Sequence, residues 1–208
     1  MLIIIDRKIP EQAKENLAKI GEVMELATES ICYEAISGHP DIFFCKIGRE
    51  LVVAPNLPED YLKILDKQSF SYTKGDFIVG NKYPGTAGYN AVFNENTLIH
   101  NFRYTEPVIT RLTDDADLIH VNQGYARCNL IPVGKDRYIT SDEAIAKVLW
   151  RFNKEVLYVD PTGILLPGYK NGFFGGCCGI LEDKIFFTGS LKYLKDENDI
   201  VTFLGKSK

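Results

Sequence analysis

Two short segments of this chain carry residue types that could act on a carbon–nitrogen bond. The glycine-rich segment 172–181 contains the adjacent Cys177 and Cys178. The thiol of Cys177 would be a nucleophile if a nearby cation or helix N-terminus lowered its pKa. The second segment is 38–44. In it, His39 could act as general acid or base because imidazole titrates near neutrality, and Asp41 could hold a planar cation. We therefore take Cys177, His39 and Asp41 as the candidate catalytic residues.

Each of these residues also has a purely structural interpretation, and the sequence leaves both open. Cys177 could be a small apolar residue packed beside glycines, where two backbone segments run close together. The ring of His39 could pack on Pro40 while Asp41 caps a backbone turn. A catalytic role for these residues therefore requires that the two segments lie close together in the folded protein.

A second set of polar residues could bind a ligand. The guanidinium of Arg127 could hold a carboxylate through two parallel hydrogen bonds, or it could pair with Asp160 or Asp6. Asn90 and Asn129 recur at matching points of two repeated units, as does Cys177. Such residues could form a polar ring, or could only satisfy backbone groups at strand ends. Arg127, Asn90, Asn129 and Asp160 are the candidate ligand-binding residues.

The remaining histidines and cysteines indicate no metal or disulfide site. His100 and His120 lie within predicted strands with apolar neighbours, so a hydrogen-bonded structural role is expected. The cysteine count is odd and includes no CxxC spacing, which predicts reduced thiols and no zinc motif; the five are Cys32, Cys45, Cys128, Cys177 and Cys178. No phosphate-binding loop is present, and no cofactor or metal is predicted.

Composition narrows the class of protein. The 208 residues are 45% hydrophobic and 25% charged with a net charge of −4, which is typical of one globular domain. The absence of a lysine- or arginine-rich run argues against nucleic acid as a partner. The apolar segment 1–5 is too short for a signal sequence, and no stretch approaches the ~18 apolar residues of a membrane span. We expect a cytoplasmic protein with no membrane partner.

The elements that must position these residues recur along the chain. Predicted hairpin turns lie roughly 40 to 48 residues apart, near Gly48, Glu95, Gly134 and Glu182. Each unit is predicted as strand, turn, strand, helix, strand. The N-terminal unit has strands 2–5 and 22–26 around a helix over 10–20, and lacks only the first hairpin strand. The units span about 1–26, 40–80, 89–122, 127–160 and 176–205.

Element boundaries follow from apolar runs and capping residues. The first hairpin strands are predicted at 41–45, 89–93, 128–133 and 177–181. The closing strands of the four complete units are predicted at 77–79, 118–121, 156–159 and 201–204. Helix starts are predicted from Asn56 with Glu59 as a capping box, from 105–107, from the box 140–143, and from Thr188 or Ser190.

Repeats this short must bury their apolar faces on one another. The closing strands end on polar residues, which suggests side chains gathered around one axis, and closure into a ring would remove exposed sheet edges. The predicted fold is therefore α/β, a five-fold pseudo-symmetric α/β propeller of ββαβ units with a first unit lacking one strand. A single domain over 1–208 is predicted.

A ring of five such units resembles the pentein fold of the guanidine-modifying enzymes, which include arginine deiminases and dimethylargininases. The chain is also similar to uncharacterised bacterial branches of that superfamily. The segment 172–181 resembles the dimethylargininase loop that carries the nucleophile, which implies that role for Cys177. The segment 38–44 resembles the place where such enzymes present an acidic residue to the guanidinium, which implies Asp41. These hydrolases also bring a histidine from the preceding unit, whereas 123–129 contains none.

Two functions follow, and the missing histidine favours the first. The first is a non-catalytic or small-ligand-binding ring with its site at the central face. The alternative is a cysteine-dependent hydrolase or transferase acting on a guanidine or amide of an amino-acid-like substrate, with Cys177 as nucleophile, His39 as acid/base, Asp41 as cation clamp and Arg127 as carboxylate anchor. The expected partner is an amino-acid-like small molecule, and a second copy of the chain could cover the incomplete first unit.

Overall fold

The computed structural model describes residues 1–181 and 184–205, and within them the chain forms an α/β fold of five small sheets. The predicted turn at Glu182 lies outside the described residues. The strands are β1 (Leu2–Asp6), β2 (Glu22–Leu26), β3 (Phe44–Ile47), β4 (Glu50–Val53), β5 (Tyr72–Lys74), β6 (Val92–Asn94), β7 (Thr97–His100), β8 (Asp117–His120), β9 (Leu130–Gly134), β10 (Arg137–Thr140), β11 (Glu155–Tyr158), β12 (Cys178–Leu181) and β13 (Lys184–Phe187).

The helices are short, and none of those described is long and apolar enough to cross a membrane. They are α1 (Glu11–Ala18), α2 (Pro40–Phe43), α3 (Glu59–Lys67), α4 (Pro107–Leu112), α5 (Ala126–Asn129), α6 (Glu143–Arg151) and α7 (Glu197–Gly205). Single 3₁₀ turns lie at Glu34–Ile36, Gly175–Cys177 and Leu191–Tyr193.

Three of the sheets share one topology. In β3-β4-β5, β6-β7-β8 and β9-β10-β11, an antiparallel hairpin is followed by a helix and then by a third strand parallel to the middle one. The N-terminal sheet contains only the parallel pair β1-β2, as predicted, and the last contains the antiparallel pair β12-β13. The predicted α/β class and its repeated small mixed sheets are therefore confirmed.

Three hairpin turns lie where the sequence predicts them. The turn between β3 and β4 has Gly48 at φ +58°, the next has Glu95 at φ +53°, and the third has Asp136 at φ +56°. Positive φ in a short loop lets the backbone follow the right-handed twist of the two strands. Glycine reaches this conformation without strain, whereas Glu95 and Asp136 adopt the left-handed region at some steric cost.

The core lies between the sheets and the helices that cover them. Helix α3 buries Leu62 and Leu65, and α6 buries Ile145 and Leu149, in each case at the three- or four-residue spacing of one helix face. Among the described residues, every buried side-chain nitrogen and oxygen has a hydrogen-bond partner. The polar groups that enter this core are therefore held by specific contacts.

The predicted first hairpin strands begin too early in the sequence. Residues 40–43, 126–129 and 175–177 form helical turns, and the strands start only after them. Pro40 stands at the first helical position of α2, where its missing N–H costs nothing. In the second unit, the N–H of Asn90 donates to the Ala87 carbonyl at 3.1 Å, so a turn also precedes β6. Asp41 and Cys177 therefore lie on helical turns and not in strands.

The closing strand predicted at 77–79 is wrong, because the strand that pairs with β4 is the more polar β5. The side chains of Phe77 and Ile78 are more than half exposed. Asn56, predicted to cap α3, instead donates to the Val79 carbonyl and accepts from the Val79 N–H, both at 2.9 Å. These two bonds fix residue 79 in a loop, and Pro58 occupies the position before the helix.

The closing strand predicted at 201–204 is also wrong, because this segment belongs to α7. Ile200 and Phe203 are buried, whereas Val201 is 56% exposed. This three-residue spacing of buried side chains is typical of a helix face and not of alternating strand faces. The 3₁₀ turn that precedes α7 is capped by Ser190, which accepts from the Lys192 N–H, as the sequence suggests.

Candidate functional site

The short helices α2 and α5 bring together a thiol, an imidazole and a carboxylate. His39 precedes α2, Asp41 lies in its first turn, and Cys128 lies on α5. One donor atom from each of these three residues lies within 4.8 Å of the others. Cys128 Sγ donates to Asp41 Oδ2 at 3.1 Å, although the two residues are 87 positions apart in the chain. We call these three residues the His–Asp–Cys group.

Asn90 holds the two halves of the His–Asp–Cys group together. Its Nδ2 lies 3.1 Å from the Asp41 carbonyl and 3.2 Å from Cys128 Sγ, and its Oδ1 accepts from the Cys128 N–H at 3.0 Å. The Asn90 carbonyl also accepts from the Arg127 N–H at 2.9 Å. Asn90 is fully buried, so these contacts form where water does not compete for them.

Asp6, at the end of β1, supports His39 from behind. Asp6 Oδ2 lies 3.7 Å from His39 Nε2, and Asp6 Oδ1 accepts from the Lys8 N–H at 2.7 Å. Gly38 packs directly on the Asp6 carboxylate, and a methyl group at residue 38 would overlap it. The side chain of His39 remains 27% exposed, so one side of the His–Asp–Cys group is open to solvent.

The electrostatics of the group favour a protonated thiol. Burial raises the pKa of Cys128 well above its usual value, and the neighbouring Asp41 carboxylate raises it further; Arg127 lowers it to a smaller extent. A thiol that keeps its proton can donate to Asp41, as observed. Oδ2 of Asp41 accepts this bond, and among the described residues Oδ1 of Asp41 accepts none. That oxygen is therefore available to a ligand.

Tyrosines form a wall next to the His–Asp–Cys group, and we call them the tyrosine wall. Tyr125 immediately precedes α5, and its hydroxyl lies 3.1 Å from the Tyr33 hydroxyl and 2.6 Å from Thr86 Oγ1. The ring of Tyr83 packs edge-on against Tyr125 and Tyr104, with centroids 5.6 and 5.5 Å away. Burial raises the pKa of Tyr33 and Tyr125 above their usual values, so their hydroxyls stay protonated at neutral pH.

The structure does not place Cys177 in the His–Asp–Cys group. Its carbonyl accepts from the Thr188 N–H at 3.0 Å, and burial raises the pKa of its thiol. In the part of the chain that the structure describes, the Cys177 thiol makes no hydrogen bond or ion pair. Its neighbour Cys178 donates to the Phe174 carbonyl at 3.1 Å. The role of Cys177 as nucleophile stays a prediction.

Arg127 joins α5 to the glycine-rich segment. Its guanidinium donates from Nη1 to the Gly175 carbonyl at 2.8 Å and from Nη2 to the Cys178 carbonyl at 3.0 Å. A methyl group at Gly175 would lie 2.9 Å from the Cys128 carbonyl, so the two backbones are in direct contact. Because the guanidinium of Arg127 binds these two backbone carbonyls, it has a structural role in this conformation.

Asn129 and Asp160 also contact other parts of the protein. Asn129 Nδ2 donates to the Tyr125 carbonyl at 3.0 Å, which stabilises the turn of α5. Asp160 accepts from the Thr162 N–H at 2.8 Å and from Lys195 Nζ at 2.9 Å, and these contacts lower the pKa of its carboxyl. Neither residue belongs to the His–Asp–Cys group.

The other two histidines make hydrogen bonds within the fold. His100 is buried between Thr105 Oγ1, at 2.8 Å from Nδ1, and the Gly124 carbonyl, at 2.9 Å from Nε2. Burial lowers the pKa of His100 to about 4, so its ring is neutral at physiological pH. His120 Nδ1 accepts from the Phe102 N–H at 3.3 Å.

Cys128 is the member of the site that sequence analysis did not select. The carbonyls of Asn129 and Cys177 accept from the residue that follows the second hairpin strand of their units, Ser141 and Thr188. Asn129 and Cys177 are therefore equivalent, and Cys128 lies one residue before that position. The signal that could have selected Cys128 is its place directly before Asn129, at a repeated polar position.

Comparison with solved structures shows similarity at low identity. A dimethylarginine dimethylaminohydrolase adduct with 4-chloro-2-hydroxymethylpyridine is 16% identical with a TM-score of 0.44, over 72% of this chain and 59% of that one. A DDAH variant from Pseudomonas aeruginosa in complex with citrulline is 17% identical with a TM-score of 0.45, over 72% and 58%. An amidinotransferase of the saxitoxin biosynthetic pathway from Microseira wollei is 13% identical with a TM-score of 0.49, over 95% and 76%.

Each of these three structures is less than 20% identical to the chain and aligns with it at a TM-score below 0.5. The matched region spans about three fifths of the length of the first two of these structures. No curated protein matches the chain. The model of one protein family, described as "Family of unknown function (DUF6873)", matches residues 4–208.

Proposed function

The chain belongs to DUF6873, a family of unknown function, and we propose that it binds a small amino-acid-like molecule that carries a positive charge. The binding site is the His–Asp–Cys group together with the tyrosine wall. The observation that carries this proposal is the convergence of His39, Asp41 and Cys128 from two distant segments into one partly open group. A fold with no ligand at this point would gain little from placing a buried thiol against a carboxylate.

The proposal includes a ring of five units around this site. Successive units contact one another: Asp6 lies by His39, Cys45 Sγ lies 3.7 Å from the Ala91 carbonyl, the Arg127 N–H donates to the Asn90 carbonyl at 2.9 Å, and the Arg127 guanidinium donates to Gly175 and Cys178. Burial and, to a smaller extent, Tyr125 and Tyr169 raise the pKa of Tyr33, so the segment before the last unit lies near the segment after the first. This succession of contacts supports a closed ring with five-fold pseudo-symmetry.

The charge of the site favours a cationic group on the ligand. Asp41 offers a carboxylate oxygen that no described residue occupies, and Asp6 adds a second carboxylate behind His39. The nearby guanidinium of Arg127 is engaged with backbone carbonyls. A ligand cation that lay over the ring of Tyr125, which precedes α5, would gain cation–π attraction of about 0.5–2 kcal/mol. An ammonium or guanidinium therefore fits this site better than an anion.

A thermal-shift screen tests the proposal, because a ligand that binds only the folded state raises its melting temperature. Arginine, agmatine, citrulline and dipeptides form the panel. We expect a cationic member to raise the melting temperature of the wild-type protein and not of Asp41→Asn. Asp160→Asn is the matched control, since it removes a carboxylate of the same kind outside the site. An equal shift in Asp41→Asn, or no shift from any cationic compound, would contradict the proposal.

A thiol-dependent hydrolase or transferase is the second candidate, favoured by the presence of thiol, imidazole and carboxylate in one group. In this mechanism a thiolate adds to the guanidine or amide carbon, the carbon–nitrogen bond breaks as His39 protonates the leaving amine, and water or an acceptor amine then releases the thiol. The nucleophile would be Cys128, or Cys177 as the sequence predicts. The proton on Cys128 favours binding over catalysis.

Alkylation by iodoacetamide at neutral pH distinguishes the two functions. The enzyme candidate requires one cysteine that reacts fast and is lost in either Cys128→Ala or Cys177→Ala. The binding candidate predicts slow labelling throughout, because burial raises the pKa of both thiols and the thiolate is the reactive form. Fast labelling at a single position would therefore replace the binding proposal by the enzymatic one.

A further inference from the structure

The donor atoms of the His–Asp–Cys group have the chemistry and spacing of a metal site. An imidazole nitrogen, a carboxylate oxygen and a sulfur lie within 4.8 Å of one another, and Cys128 Sγ is already 3.1 Å from Asp41 Oδ2. Zn²⁺ binds these three atom types at about 2.0–2.3 Å, so small side-chain movements would bring all three into coordination. We propose that His39, Asp41 and Cys128 bind one Zn²⁺ ion.

The donor set decides between classes of cation. Mg²⁺ and Ca²⁺ require oxygen ligands, and of the three residues of the group Asp41 alone has a side-chain oxygen. Thiolate and imidazole together select zinc and its late transition-metal neighbours. The ion would displace the thiol proton that Cys128 donates to Asp41. Binding would release this proton to solvent and form a Zn–S bond in its place, with Asp41 keeping its negative charge.

Outer contacts of the kind that tune metal sites are already present. Asp6 Oδ2 lies 3.7 Å from His39 Nε2, so a small movement of either side chain would let this carboxylate accept a hydrogen bond from the imidazole and orient it. Asn90 Nδ2 lies 3.2 Å from Cys128 Sγ and would stabilise the thiolate. Carboxylates next to ligating histidines and hydrogen bonds to ligating groups are the usual second shell of a zinc site. Gly38 lets the Asp6 carboxylate approach closely.

Three protein ligands leave a fourth position open. Structural zinc sites are closed by four protein ligands, whereas zinc sites that bind a substrate or water keep one position free. His39 and Asp41 are both partly exposed, so solvent or a small molecule could reach the open position. This inference does not depend on the proposed ligand binding, because the ion alone is the probe; both would use the Asp41 carboxylate, so zinc and a cationic ligand would compete for it.

The test uses untagged protein freed of metal by a chelator and then dialysed. Titration with Zn²⁺ should show one equivalent bound, and Co²⁺ should give a near-ultraviolet charge-transfer band from thiolate to cobalt. Cys128→Ser should remove that band and weaken zinc binding at least ~10-fold, and Asp6→Asn should weaken it about 10- to 100-fold. Cys177→Ser is the matched control and should bind zinc as the wild type does.

The wild-type cobalt spectrum keeps the test decisive even where a variant fails to fold. A spectrum without a thiolate band, or a stoichiometry near zero, would overturn the proposal. Loss of binding in Cys177→Ser with full binding in Cys128→Ser would overturn it as well. These outcomes leave the thermal-shift result with amino acids unaffected, so failure of the zinc site is distinguishable from failure of the proposed ligand site.

Discussion

Replacing Asn90 by alanine should separate α2 from α5 and destabilise the whole protein. The change removes the donor that satisfies the Asp41 carbonyl, which is partly buried, and the acceptor that satisfies the Cys128 N–H, which is buried. An unsatisfied buried polar group costs about 1–3 kcal/mol. Two such groups give about 2–6 kcal/mol, and water entering the space left by the amide would bring the value toward the lower end.

Urea unfolding followed by circular dichroism measures this loss. With a slope of about 2 kcal/mol per molar urea, a loss of 3 kcal/mol lowers the midpoint by about 1.5 M. Asn96→Ala is the control, because its Nδ2 makes a single exposed bond to the Asp115 carbonyl, and its loss should stay within about 0.5 kcal/mol. If Asn90→Ala unfolds within 1 kcal/mol of the wild type, the inferred role of Asn90 is refuted.

Three further predictions concern packing, charge and the C-terminal helix. Gly38→Ala should lower stability by about 1–3 kcal/mol in thermal melts through overpacking against the carboxylate behind it, whereas Gly189→Ala, which meets open space, should be near neutral. The hydrogen bonds that lower the pKa of Asp160 stabilise the folded state above pH ~3.9, the pKa of an unfolded aspartate. This stabilisation is lost as the pH falls below that value. Asp160→Asn should therefore make the melting temperature less dependent on pH in the acid range. Ile200→Ala should cost about 2–5 kcal/mol and Val201→Ala less than about 0.5 kcal/mol, and the reverse order in urea unfolding would contradict a helix there.

The repeated units could be predicted because turn residues and apolar runs carry their own local signal. Gly48 and the polar turn at Asp136 separate strands that pair as predicted. The end of the chain could not be predicted in the same way, since an apolar run of four residues fits a strand or a helix. In the structure, Ile200 and Phe203 are buried on one face, and segment 201–204 is therefore helical. The polar strand β5 was missed because its pairing with β4 is a tertiary contact.

The candidate site was predicted in part. His39 and Asp41 are neighbours in sequence, so their proximity needs no tertiary information. Cys128 joins them only because α5 packs against α2 through Asn90, and a contact across 87 residues leaves no local pattern. Arg127 illustrates the opposite limit: its residue type fits a ligand carboxylate, but packing brings two backbone carbonyls within reach first.

The hydroxyl groups of Thr86, Tyr125 and Tyr33 form a row of two hydrogen bonds, and the positions of their hydrogens depend on one another. The Tyr125 oxygen carries one hydrogen, so when it donates to one neighbour the other neighbour must donate to it. The row therefore has two directions, and reversing one bond reverses the other. The hydroxyl hydrogens of three loops that are remote in sequence therefore point the same way along the row. A molecule that accepts a hydrogen bond at one end of the row would fix the direction of the hydrogen bond at the other end.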